Sequence, residues 1–300
     1  MQNTFLYIVT VLIWGSTWLA ITFQLGVVPP EWSVAFRFFL AAAMLFIYSK
    51  LRGLQLRFTL QEQLFIAMQG LLLFSVNYIV VYFAELHITS GMVSVVFSSV
   101  IVFNVFFGAL FLRRPVNGRV LLGSLVGIAG LALIFWPEMQ GLDLQGTRLL
   151  GLGLAILSAV SASLGNIVSA RNQRNKLPVI QTNAYGMLYG ALFTTLIALG
   201  RGAPLVFDAS LAYLGSLFYL ALFGSVIAFG SYLTLLGRIG ADRAAYIAVL
   251  FPVIALLLSA IFENLQLDWV QFAGFALVML GNGLVVNLRQ RSAASPAAAK

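Results

Sequence analysis

Three hundred residues carry 61% hydrophobic but only 9% charged side chains, with a mean hydropathy of +0.99. So little charge cannot cover the surface of a soluble domain of this length, and the proportions fit a chain whose outer surface faces lipid. The net charge of +8 reads as basic anchors at helix ends rather than as a nucleic-acid footprint, and no cysteine with a single histidine (His87) excludes disulfide staples and Cys/His metal clusters.

In chain order, apolar runs fall at 5–24, 32–49, 64–83, 91–112, 120–136, 149–169, 179–199, 211–235, 244–262 and 269–288. At about 20 residues per crossing, they predict ten transmembrane helices. The runs are continuous rather than alternating, which selects helices over a barrel. A signal peptide is not expected from the first run: Met1–Thr4 holds no Lys or Arg, and no small-x-small site precedes Pro29.

The spans carry few polar groups, and each needs a partner in hydrocarbon. In the first, Trp14 and Trp18 lie one turn apart and away from the interface belts, which makes Trp14 a candidate for lining a pathway. Arg37 in the second either binds a substrate carboxylate or snorkels outward to Glu31 or the headgroups, and the second is the expectation. The third is the most informative: Asn77, Tyr78, Tyr82 and Glu85 share one helical stripe. Asn77, Tyr78 and Tyr82 are therefore candidate substrate contacts, with interhelical hydrogen bonding as the competing role. Ser90, Ser94 and Ser98 form a small polar ridge that serves close packing or, at Ser94 and Ser98, a ligand. Gly123, Gly127 and Gly130 mark a helix-association face in the fifth span, while Asn166, Tyr232 and Tyr246 are candidates in the sixth, eighth and ninth. Pro252, the proline inside a span, predicts a kink and a candidate hinge. His87 reads as an interfacial polar residue.

Orientation follows from the connectors. With the N-terminus inside, the inner connectors and tail hold Lys50, Arg52, Arg57, Arg113, Arg114, Arg119, Arg171, Arg174, Lys176, Arg238, Arg243, Arg289, Arg291 and Lys300. Only Arg148 and Arg201 fall in outer ones, whereas seven of the nine acidic residues do. Both termini are expected in the cytoplasm.

The chain also repeats itself. At an offset of about 150, Ser75 meets Ser225 and Tyr82 meets Tyr232, with Gly123 and Gly130 matching Gly274 and Gly281 at about 151. Five spans per half is an odd number, so the second half must be inverted, an architecture of secondary transporters with the substrate site between the halves. The expected organisation is an all-α membrane protein of two inverted five-helix repeats, 1–137 and 138–289, with a disordered cytoplasmic tail at 290–300.

Here the sequence resembles the drug/metabolite transporter superfamily, in particular its ten-helix EamA-type exporters. The residues concerned are Trp14, Gly15 and Ser16; Arg37 and Phe38 followed by Ala41; and Pro252, Glu263, Gln271, Gly274 and Gly281. The resemblance runs to about Arg289 and is similar to aromatic and neutral amino-acid exporters. One departure is plain: Arg113 stands where the first half of the family usually has Glu, so no role for that carboxylate carries over.

The resemblance implies export of small metabolites, aromatic or neutral amino acids foremost, across a bacterial inner membrane by alternating access. No carboxylate sits mid-span, which argues against direct ion coupling, and no Walker-A pattern appears. The alternative is a membrane-embedded enzyme acting on a lipid-linked substrate, which would need a reactive constellation at membrane depth. No cofactor or metal is expected. The expected partners are a small-molecule substrate and membrane lipid, without nucleic acid, and the chain is expected to work as a monomer.

Overall fold

The structure is a computed structural model, and it describes residues 2–113, 118–140, 146–239, 247–266 and 268–293. Ten helical spans follow one another: α1 (Gln2–Thr22), α2 (Pro30–Leu51), α3 (60–85), α4 (90–112), α5 (Gly118–Gln140), α6 (Thr147–Arg174), α7 (Val179–Gly200), α8 (211–239), α9 (Ile247–Phe262) and α10 (Trp269–Ala293). Of these, α1, α2, α3, α4, α6 and α8 contain stretches long and apolar enough to cross a membrane by length and composition. Shorter apolar stretches lie in α5, α9 and α10 at Leu122–Ile134, Ile247–Phe262 and Trp269–Leu284.

Local chemistry sets the ends. Pro30 opens α2, where its missing N–H costs nothing and its fixed φ suits a helix start. Thr59 caps α3 through a box in which its hydroxyl accepts from the Glu62 amide while the Glu62 carboxylate accepts from the Thr59 amide. Beyond α2 and α7 the chain turns through Gly53 (φ 61°) and Gly202 (φ 66°), left-handed positions that glycine adopts without strain. These caps occupy matching places in the two halves.

The repeat is also written into the helices. α3 runs as Leu60–Gln69, widens into a π-helical stretch at Gly70–Val76, and resumes at Asn77–Glu85. α8 does the same, from Leu211–Tyr219 through Leu220–Ile227 to Ala228–Ile239. A π stretch breaks the regular ladder, and here side chains from elsewhere satisfy its carbonyls. Ser161 of α6 donates to Leu72 O at 2.7 Å, and Trp14 Nε1 of α1 donates to Gly224 O at 3.3 Å. Each donor comes from the opposite half. Ser75 and Ser225, matched in sequence, likewise take hydrogen bonds across the halves, from Thr194 (2.8 Å) and Arg37 (3.2 Å).

Three helices of each half pack against their own repeat mates in antiparallel pairs. In α2/α7, Trp32 Nε1 donates to Ala203 O at 3.1 Å near one end, and the Phe46 and Tyr185 rings meet at 4.9 Å near the other. In α4/α9, Ser90 bonds Glu263 and Gly91 lies against Ser259 and Leu256. In α5/α10, Gly130 abuts Gly274 while Gly123 and Gly127 abut Gly281. A two-fold axis in the membrane plane, relating α1–α5 to α6–α10, produces just this set of pairs. The same operation takes the α1/α8 and α1/α9 packing into the observed α6/α3 and α6/α4 packing.

α4 is interrupted near its middle, whereas its repeat mate α9 runs unbroken from Ile247 to Phe262. α9 accommodates Pro252, buried inside the helix, without a break. In α4, Ser94 and Ser98 donate back to Gly91 O and Val95 O, both at 2.6 Å, and the helix gives way to a turn at Ser98 and Ser99 before resuming at Val100. Such back-bonding competes with the backbone ladder and bends helices.

The basic end of the bundle carries Arg52, Arg57, Arg171 and Arg174; the opposite end carries Glu31, Glu85 and Glu263. The chain has no native cysteine, so single-cysteine labelling can test which end faces the cytoplasm. In intact cells, Gln55→Cys is expected to resist a membrane-impermeant maleimide and Leu205→Cys to react. The reverse pattern would invert the assignment.

Candidate functional site

A cavity of about 170 Å³ lies between the two halves. It is comparable with an engineered cavity of about 150 Å³ that takes up benzene, so its enclosed part holds a group of one-ring size. α1, α2, α3 and α4 contribute wall from the first half, and α6, α8 and α9 from the second.

The wall is mostly apolar, with seven aromatic rings among its residues. Trp14 meets Phe229 at 5.3 Å and Tyr232 at 5.2 Å, and Trp18 packs against Phe97 at 5.2 Å and stacks on Phe251 at 5.9 Å. Besides Thr17 and the tyrosine hydroxyls, four polar side chains interrupt it. Asn77 Nδ2 donates to Leu73 O at 3.3 Å, within the π stretch of α3. Asn166 Nδ2 reaches Asn104 Oδ1 at 3.4 Å, and that oxygen also accepts from Ser163 at 2.9 Å. Arg37 is the fourth. It is 1% exposed; its Nε donates to Ser225, its guanidinium carbon lies 4.5 Å from the Tyr78 ring centre, and its Nη1 has no hydrogen-bond partner.

Arg37 thus corrects the expectation that it snorkels outward to Glu31. Glu31 pairs instead with Arg201 at 3.1 Å, at the bundle end. Sequence position alone cannot distinguish the two, because the group that holds Arg37 inward lies in the other half of the chain. Its partner Ser225 is 188 residues away and is brought close by the α8 π stretch. Asn104 is a further lining residue that the sequence reading passed over; an Asn in the apolar run from Val100 to Leu112 was the available signal.

Access is one-sided. Toward the acidic end the lining residues Thr17, Trp18, Ile21, Arg37, Val81 and Phe251 are all buried. Toward the basic end Asn104, Phe229, Tyr232 and Ala248 are partly exposed and Asn166 is exposed, with Ile247 buried among them. Beyond the closed end, Tyr82 Oη donates to Gln24 at 2.6 Å, and Glu263 accepts from the Ser90 amide at 3.1 Å and from its hydroxyl. Glu85, on the same side, is buried with neither carboxylate oxygen hydrogen-bonded.

The structure brings Trp14, Asn77, Tyr78, Asn166 and Tyr232 together at the cavity. Tyr82 is fully buried in the closed end. Ser94 and Ser98 are buried along α4, where Ser98 Oγ accepts from Asn282 of α10 at 3.0 Å. Pro252 lies beside the cavity residue Phe251, within α9. Tyr246 lies outside the described residues.

Comparison with known proteins agrees with this architecture. The model of the EamA-like transporter family matches residues 3–136 and again 149–287. The chain is 29% identical to the uncharacterized inner membrane transporter YedA of Escherichia coli strain K12, over 91% of this chain and 87% of that one. It is 25% identical to a probable amino-acid metabolite efflux pump of the same strain, over 96% of each chain. A crystal structure with 20% identity superposes at a TM-score of 0.68, covering 98% of this chain and 99% of that one, which supports the fold. A family match in each half removes the lipid-linked enzyme reading. This chain is a multi-pass membrane protein that belongs to the EamA-like transporter family, with one copy of the family's five-helix unit in each half.

Proposed function

We propose that the protein is a secondary carrier that exports small amphiphilic metabolites, aromatic and neutral amino acids foremost, by alternating access and without direct ion coupling. The observation that carries this reading is the one-sided cavity between inverted halves, walled by aromatic rings and interrupted by a few polar groups. Rings suit an apolar side chain, and sparse amide and guanidinium groups suit a polar backbone. The similarity to a probable amino-acid metabolite efflux pump points the same way. Units 1–137 and 138–289 act as the two rocking bodies, with Pro252 in α9 as a hinge candidate and a single chain as the working unit. With the basic end in the cytoplasm, the cavity faces inward and is loaded from the cell.

The test is flux in proteoliposomes with a panel of labelled amino acids, with and without an imposed pH or sodium gradient. Aromatic or neutral amino acids are expected to move down their own gradient without either ion gradient. Flux that requires a proton gradient would overturn the uncoupled reading and turn attention to Glu85, the buried carboxylate with no hydrogen-bond partner.

A further inference from the structure

Buried charges inside a membrane are costly unless paired, and Arg37 presents that situation in full. Among the described residues, no carboxylate forms an ion pair with it. Glu85 is near enough for its charge to be felt, but its oxygens make no hydrogen bond. The guanidinium is held from two sides, by Ser225 through Nε and by the Tyr78 and Phe38 rings at 4.5 and 5.3 Å. The Tyr82 hydroxyl also stands close enough to interact with the guanidinium, yet Nη1 is buried without an acceptor on a residue that lines the cavity.

A second unpaired group lines the same cavity and has the opposite polarity. Asn77 Nδ2 donates to the Leu73 carbonyl, and a carbonyl accepts only from the amide nitrogen, so the orientation of the carboxamide is fixed. Its Oδ1 is buried and has no donor. Tyr78, adjacent to Asn77 in sequence, carries the ring that faces Arg37. Two residues of the cavity wall therefore each carry a buried polar atom without a hydrogen-bond partner, a cationic donor on Arg37 and an acceptor on Asn77.

We infer that Arg37 and Asn77 are the backbone-recognition pair of the substrate site, Arg37 taking a carboxylate and Asn77 Oδ1 an ammonium group, so that the transported ligand is a zwitterionic α-amino acid. This rests on the carrier reading above and narrows it. A guanidinium binds carboxylate in a two-pronged fashion that an ammonium group cannot copy. A site built to hydrogen-bond a substrate group rejects analogues lacking it, because its own buried groups are then left unpaired. Trp14, Phe229 and Tyr232 receive the side chain.

The experiment is counterflow in proteoliposomes, which needs no ion gradient. The probes are L-phenylalanine, 2-phenylethylamine (no carboxylate) and 3-phenylpropionate (no ammonium). The wild type is expected to exchange phenylalanine in strong preference to either analogue. Arg37→Gln is expected to lower the phenylalanine-to-phenylethylamine ratio by at least about tenfold, the size of one lost charge-assisted contact. Arg37→Lys, which keeps the charge but loses the fork, is expected to fall between and serves alone if the Gln variant does not fold. Asn77→Leu is expected to shift the phenylalanine-to-phenylpropionate ratio toward the acid. Unchanged ratios in the Arg37 variants, or a wild type that exchanges the amine as well as the amino acid, would overturn the inference and leave a carrier in place. A wild type that exchanges none of the three sinks the amino-acid reading and this inference together.

Discussion

Gly130→Val is expected to cost the protein its folded state, while Gly153→Ala is expected to leave it unharmed. A Cβ at Gly130 would lie 2.6 Å from Gly274 O and 2.6 Å from Val278 N, so the obstruction is backbone that cannot swing aside. The contact is reciprocal, since a Cβ at Gly274 would lie 2.7 Å from Gly130 O. Between membrane helices there is little hydrophobic drive, and close van der Waals approach through small residues holds the seam together. Separating α5 from α10 therefore removes the attraction itself. Overpacking costs about 1–3 kcal/mol at ordinary core sites, and a branched side chain against two backbones should lie at or above the top of that range. Gly153 has nothing within 4 Å of its ideal Cβ, and alanine there gains helix propensity of up to about 1 kcal/mol. Thermal unfolding in detergent, followed by fluorescence-detected gel filtration, reads both. If Gly130→Val melts alongside the control, α5 and α10 do not close on each other.

Tyr78→Ala and Tyr82→Ala are expected to fail for different reasons. Tyr78 is partly exposed at the cavity, edge-on to Phe38 at 4.8 Å and beneath Arg37. If the cavity is the substrate site proposed above, the loss of Tyr78 removes a binding surface and a support for the guanidinium, on the order of 1–3 kcal/mol, which is a roughly five- to two-hundred-fold fall in apparent affinity. The melting temperature should barely move. Tyr82 is fully buried, so Ala leaves a ring-sized void as well as an orphaned Gln24 Oε1. Large-to-small changes of this type cost about 3–5 kcal/mol in well-packed cores. The Tyr82 variant should therefore show up first as lost stability. Tyr48, 45% exposed near the basic end of α2, is the control and should tolerate Ala in both assays. Should Tyr78→Ala lose stability as Tyr82→Ala does, Tyr78 is a packing residue and the pocket has been drawn in the wrong place.

The two tyrosines also mark where the sequence stops being informative. Helical spacing put Asn77, Tyr78 and Tyr82 on one stripe, and they do share a helix. A stripe does not say how deep in the bundle each residue lies or which end is closed. Tyr82 and Tyr232 match in the repeat, yet Tyr82 is sealed against Gln24 while Tyr232 faces the open cavity. The asymmetry belongs to the conformation, so no symmetric sequence pattern could carry it.

Much was decided by the sequence alone: the membrane class, ten spans, a family with two five-helix units, and glycine faces on α5 and α10. These depend on composition, run length and short-range periodicity, which act residue by residue and survive without a partner. The tertiary structure alone decided the rest. It turned Arg37 inward to Ser225, placed Asn104 on the wall, and opened matched π stretches in α3 and α8 whose carbonyls are answered from the opposite half. Each of these is a long-range pairing, set by which buried donor finds an acceptor in hydrocarbon once the helices have met, and a hydropathy pattern contains no information about which two helices those will be.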